Sequence, residues 1–220
     1  MNAVEFSTVG LFSNGPVIRL IDLATTVQES RGELSLDDEI RRYIRVIETN
    51  WTANWICPVY TAAAALDLAG KSVSASGTLD DYPPEFKEKV TRAAEGMPAS
   101  EYLHILAEMV RSLNRSPYPE YDQLPMAGWE FLQTFPSLYG FDVVLMDEGD
   151  LPFSGLVRRF VSAEHPYCNE RAATLSAQAQ YALALFPGEQ CIARHLSWAT
   201  RAGLLELIDT VNEHMQREHS

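Results

Sequence analysis

Apolar side chains recur at three- and four-residue intervals through most of this chain, and that period commits it to helix. The clearest case is the segment 36–50. Leu36, Ile40, Tyr43, Ile44, Ile47 and Trp51 share one face of a helix there, while Asp37, Asp38, Arg41, Arg42, Arg45 and Glu48 share the other, which reads as solvated. Ser35 with Asp38 three residues on resembles a capping box at its start. Asp37 with Arg41 and Asp38 with Arg42 form i,i+4 pairs, each contributing a few tenths of a kcal/mol.

The same spacing, punctuated by Pro and Gly, divides the rest of the chain. A helix is predicted from Pro16 to Glu29, and an alanine-rich one from about Pro58 to Ala69, stopped by Gly70. Lys71 to Gly77 has the composition of a linker and offers a flexible connection over 71–79. Pro84 and Pro98 open helices reaching Glu95 and Leu113. A Pro- and Tyr-rich surface loop covers 114–125, and a short helix 126–135. Phe141 to Met146 is the best strand candidate, ended by the turn Asp147-Glu148-Gly149-Asp150. Closing helices are predicted over 153–163, 168–186 and 189–215. The expected fold is mainly α: a single domain over 1–220, a multi-helix orthogonal bundle of about nine helices with at most a small two-stranded element.

Composition bounds the function. At 220 residues and 46% apolar, the chain can bury a core without staples. The net charge of −13, with three lysines and no basic stripe, argues against nucleic acid and favours a basic protein partner. No run approaches the ~20 apolar residues of a membrane helix, and no basic-then-apolar leader opens the sequence. Cys57, Cys168 and Cys191 are an odd, sparse set, which fits free thiols in a bacterial-type cytoplasm.

Several constellations carry chemistry in principle. Glu101-x-x-His104 matches the ligand pair of iron or manganese sites in helical bundles. The helical wheel buries Tyr102, Leu103, Leu106, Met109, Val110 and Leu113, however, and sends Glu101, His104, Glu108 and Arg111 to the solvated side. His165-x-x-Cys168 and Cys191-x-x-x-His195 together resemble a Cys2His2 zinc set. A helix over 168–186 separates the two pairs by roughly 27 Å, too far for one ion. Cys191 with His195 at i,i+4 has the ingredients of an activated thiol, but no residue orients the histidine. Nucleophile-elbow, phosphate-loop and dinucleotide motifs are missing.

The last predicted helix is apolar on two sides. Ile192, Leu196, Leu204, Leu207, Val211 and Met215 form its main stripe; Cys191, Trp198, Ala202 and Leu205 form a second. The second stripe packs within the domain or presents Trp198 as an anchor for a partner. The leading functional expectation is a cytoplasmic acidic protein-binding protein, an immunity-type inhibitor or adaptor neutralising a basic partner. Trp198, Leu205, Asp147, Glu148 and Asp150 are its contacts, with no cofactor and a homodimer left open. The alternative is a helical-bundle enzyme, oxygenase-like with iron or manganese or a small-molecule-binding biosynthetic enzyme, using Glu101, His104 and His195. His104 or His195 turned inward beside a carboxylate and lining a cavity would make that alternative the leading reading.

Overall fold

The structure is a computed structural model that describes residues 10–145, 151–163, 165–190 and 192–219. Eleven helices have both ends within those residues, and no strand occurs among them. The mainly α reading stands, with eleven helices in place of about nine. No helix among the described residues is long and apolar enough to cross a membrane. The chain divides into two compact units, residues 1–130 and 131–220.

In the first unit, α1 (Pro16–Glu29) buries Val17, Leu20, Ile21 and Ala24. The second helix, α2 (Leu36–Thr49), starts where predicted: the Ser35 hydroxyl accepts from the Asp38 amide at 3.4 Å. Its end is different. Asn50 leaves helical geometry and its side chain caps a new short helix, α3 (Trp51–Ile56), accepting from the Ala53 amide at 3.0 Å. The break removes Trp51 from the buried face to which the periodicity assigned it.

The alanine-rich segment runs on as α4 (Val59–Ser76), and so the linker-like stretch 71–76 is its last turns, closed by Gly77 in left-handed geometry. Gly70 does not stop it. A Cβ there would sit 3.0 Å from the Ser100 carbonyl oxygen and 3.1 Å from His104 Nε2. The glycine is therefore a point of close approach to α6 (Ala99–Leu113), not a terminator. Between them in sequence, α5 (Pro84–Ala94) buries Phe86 and Val90 against the common core.

Arg45, expected on the solvated face of α2, is fully buried. Its Nε and Nη2 each donate to Glu130 at 2.8 Å, Nη1 donates to the carbonyls of Pro119 and Leu124 at 2.8 Å, and the guanidinium lies 4.0 Å from the Tyr121 ring centre. One planar cation thus satisfies a buried carboxylate and two loop carbonyls, which orders the loop 114–125. The predicted Asp38–Arg42 pair is replaced by contacts from Arg42 to Glu39 at 2.6 Å and to the Pro125 carbonyl at 3.0 Å.

After α7 (Gly128–Thr134), the second unit contains α8 (Pro136–Leu145), α9 (Phe153–Ser162), α10 (Asn169–Leu185) and α11 (Arg201–Glu218). The expected strand 141–146 is the end of α8 as far as Leu145; Met146 lies outside the described residues. Leu138 and Phe141 are fully buried at i,i+3, and the Gln178 carbonyl oxygen of α10 accepts from the amides of Ser137 and Leu138 at 2.8 and 3.3 Å. That side chain caps α8, so tertiary contact overrides the β preference of Val143-Val144. The expected long helix 189–215 is also broken: the described residues up to 199 form turns, and α11 begins after Thr200, whose hydroxyl accepts from the Gly203 amide at 3.2 Å.

Candidate metal centre

Cys168 is the residue just before α10, and its side chain is fully buried. Helices α10 and α11 pack so that the start of the first meets the end of the second. The buried face of α11 carries Leu204, Leu207, Thr210, Val211 and then His214, a histidine at the next helical step of a mostly apolar stripe. His219 follows at the helix C-cap, and His165 lies three residues before Cys168.

These four side chains converge. Cys168 Sγ lies 3.0 Å from His219 Nε2, 3.3 Å from His214 Nε2 and 3.8 Å from His165 Nδ1, and one ligand atom from each residue falls within 4.8 Å of all the others. The three sulfur-to-nitrogen separations straddle those of a tetrahedral site, and the cluster as a whole, within 4.8 Å, would draw in on an ion. With bonds of about 2.0 Å to nitrogen and 2.3 Å to sulfur, the corners of such a site stand roughly 3.3–3.6 Å apart. Burial, and after it the neighbouring charge of His219, pushes the His214 imidazole towards its neutral, ligating form; Glu218 opposes this and His165 adds to it. A thiolate and three imidazoles are a donor set for zinc, and four protein ligands close its coordination.

The spacing is His-x-x-Cys followed by His-x-x-x-x-His. The first half is the pair singled out in the sequence; the second half is not Cys191 and His195. Cys191 lies outside the described residues. His195 sits in the turns before α11, its ring stacked on Phe131 at 4.7 Å, and is no member of the cluster. His195 lies in a turn, and the activated-thiol reading, which needs Cys191, falls outside the described residues. His214 was hidden by its position: the periodicity assigns Met215 to the core stripe, one residue from the true inward position.

Of the other candidate residues, Trp198 is half-buried. Its indole N–H donates to Asp142 at 2.9 Å, and its ring meets Phe141 and Phe153 at 5.3 and 5.4 Å. Leu205 is 42% exposed on α11, and Asp147, Glu148 and Asp150 lie outside the described residues.

Glu101 and His104 belong to the first unit. Glu101 is exposed; His104 is half-exposed, with Nδ1 2.9 Å from Asp67 Oδ1. Partial burial pushes the Asp67 carboxyl up, but hydrogen bonds and charge from His104 and Arg111 outweigh it and hold the carboxyl below its ordinary value. Both Glu101 and His104 line an open groove of about 680 Å3, with Ser74, Ser100, Ile105 and Glu108. His104 is therefore not merely solvated: it faces a carboxylate beside a cavity.

Comparison with family models, with curated proteins and with solved structures finds no match.

Proposed function

We propose that this chain binds one zinc ion through His165, Cys168, His214 and His219, and that the ion is a structural staple of the second unit. One observation carries this reading: four metal-binding side chains from two separated segments place their donor atoms within 4.8 Å of one another. Two of the four are buried. A buried thiol among imidazoles gains far more from a shared cation than from weak S–H contacts. With all four corners supplied by protein, no position is open for a substrate or an activated water, which separates this centre from a catalytic zinc.

Around such a staple, the net charge of −13 and the missing catalytic motifs support a protein-binding role, of the inhibitor or adaptor kind. A second reading is favoured by the Asp67–His104 pair: the groove beside it suits a small polar molecule or a substrate requiring an oriented base.

The test of the zinc reading is metal analysis of purified protein, followed by replacement of the metal with cobalt. Retention of one zinc per chain is expected, together with a thiolate-to-cobalt charge-transfer band and intense tetrahedral ligand-field bands. Cys168→Ser abolishes the charge-transfer band and His214→Ala lowers retention. A protein that takes up no metal, or binds cobalt without the sulfur band, would refute the assignment.

A further inference from the structure

The first unit exposes a group of large apolar side chains on two consecutive helices. Trp51 and Trp55 on α3 are each 76% exposed and stack on one another, rings 5.8 Å apart and 15° from parallel. Ile56 is 74% and Tyr60 69% exposed, and Tyr60 begins a stripe on α4 that continues one and two turns later through exposed Ala64 and Leu68, the latter at 55%. The whole of α4 is apolar or small apart from Asp67 and Lys71, and a helix apolar on both sides belongs between neighbours. Isolated exposed apolar residues need no explanation; a run of five large ones marks an interface.

We propose that this surface is the interface of a homodimer, with a second copy of the same chain as its occupant. Area is the first argument. The five large side chains present roughly 700 Å2, taking 150–250 Å2 for each full aromatic side chain. With their rim this approaches the ~800 Å2 per partner of a standard stable interface. Charge is the second. Residues 49–66 contain no charged side chain in a chain of net charge −13. A basic partner selects an acidic rim, whereas the flanking carboxylates here are only Glu48 and Asp67, and Asp67 is already paired with His104 and Arg111. Two copies can instead meet here without opposing like charges, while the acid elsewhere is screened beyond a Debye length of about 8 Å. A two-fold axis lets the patch meet itself, so the Trp51–Trp55 platform of one copy can cover the Ala64 stripe of the other, where a small residue admits close approach. Flat aromatic platforms are also the residues that dominate interface energetics.

The test is sedimentation velocity of the full chain across a wide concentration range. Twice the chain mass is expected, stable or strengthened as salt rises, with tryptophan emission moving to the blue on association. Trp51→Glu with Trp55→Glu weakens the dimer at least tenfold while leaving the circular dichroism of the chain unchanged. Ala64→Glu, at an exposed helical site, gives the same result independently. A single-chain mass at every concentration, a dimer that dissolves in salt, or a dimer indifferent to both variants overturns the proposal; so does a single chain that instead captures a basic protein through this patch.

Discussion

Replacing Arg45 by Met removes the cation from the most enclosed polar network of the first unit. Glu130, fully buried, loses two hydrogen bonds of 2.8 Å and the charge that balances it. Breaking a buried pair in this one-sided way costs about 3–5 kcal/mol. The carbonyls of Pro119 and Leu124 lose their donor too, although opening of the loop lets water replace it at about 1 kcal/mol each or less. A loss of about 4 kcal/mol is therefore expected, a large part of the total stability of an ordinary domain. Replacing both residues, Arg45→Met with Glu130→Met, removes the stranded charge and should recover about 2 kcal/mol of that loss. The assay is urea unfolding followed by fluorescence and circular dichroism. Trp129 reports the region directly: its ring lies 4.5 Å from the Arg19 guanidinium and its N–H donates to Glu39 at 2.6 Å. A single-variant cost below about 1 kcal/mol, or a double variant as unstable as the sum of the singles, would refute the view that compensation of the Glu130 charge holds this network together.

Three further outcomes follow from the geometry. Asp67→Asn should flatten the acid limb of stability: a carboxyl held below its ordinary value stabilises the fold above that value, and the contribution fades as pH falls through the lowered one. Urea midpoints between about pH 5 and pH 2 should therefore drop less steeply in the variant, and parallel curves would count against the His104–Asp67–Arg111 cluster. Gly70→Ala gains about 1 kcal/mol of helix propensity but presses a methyl against the Ser100 backbone oxygen, so a net loss of about 1–2 kcal/mol is expected by urea unfolding, and net stabilisation contradicts the packing. Gly203→Ala drives its Cβ into the carbonyl oxygen of Trp198 at the start of α11; a loss above about 2 kcal/mol in the second unit, seen by thermal unfolding, checks it, and a neutral effect would contradict the placement.

Much of the helical architecture was legible because helix periodicity is local. The starts of α1, α2, α5 and α9 were predicted to within a residue, since Pro at a first turn and Ser as a cap act on the nearest amides. The misassigned segments are those where a distant group decides. Gly70 reads as a stop until α6 is seen against it; 141–145 reads as a strand until Gln178 caps the helix; Arg45 reads as solvated until Glu130 arrives from 85 residues away.

The candidate site divides in the same way. His165-x-x-Cys168 is visible as a ligand-like pair because its members lie three positions apart. Its completion depends on His219, 51 residues from Cys168, and on His214, 46 away, both delivered by packing of α10 against α11. The sequence alone determined that this chain is helical, acidic and free of familiar catalytic motifs, for those follow from local spacing and summed charge. Only the tertiary structure decided which polar side chains leave water and meet one another, because burial and donor-to-donor distance are properties of packed elements and have no counterpart in one dimension.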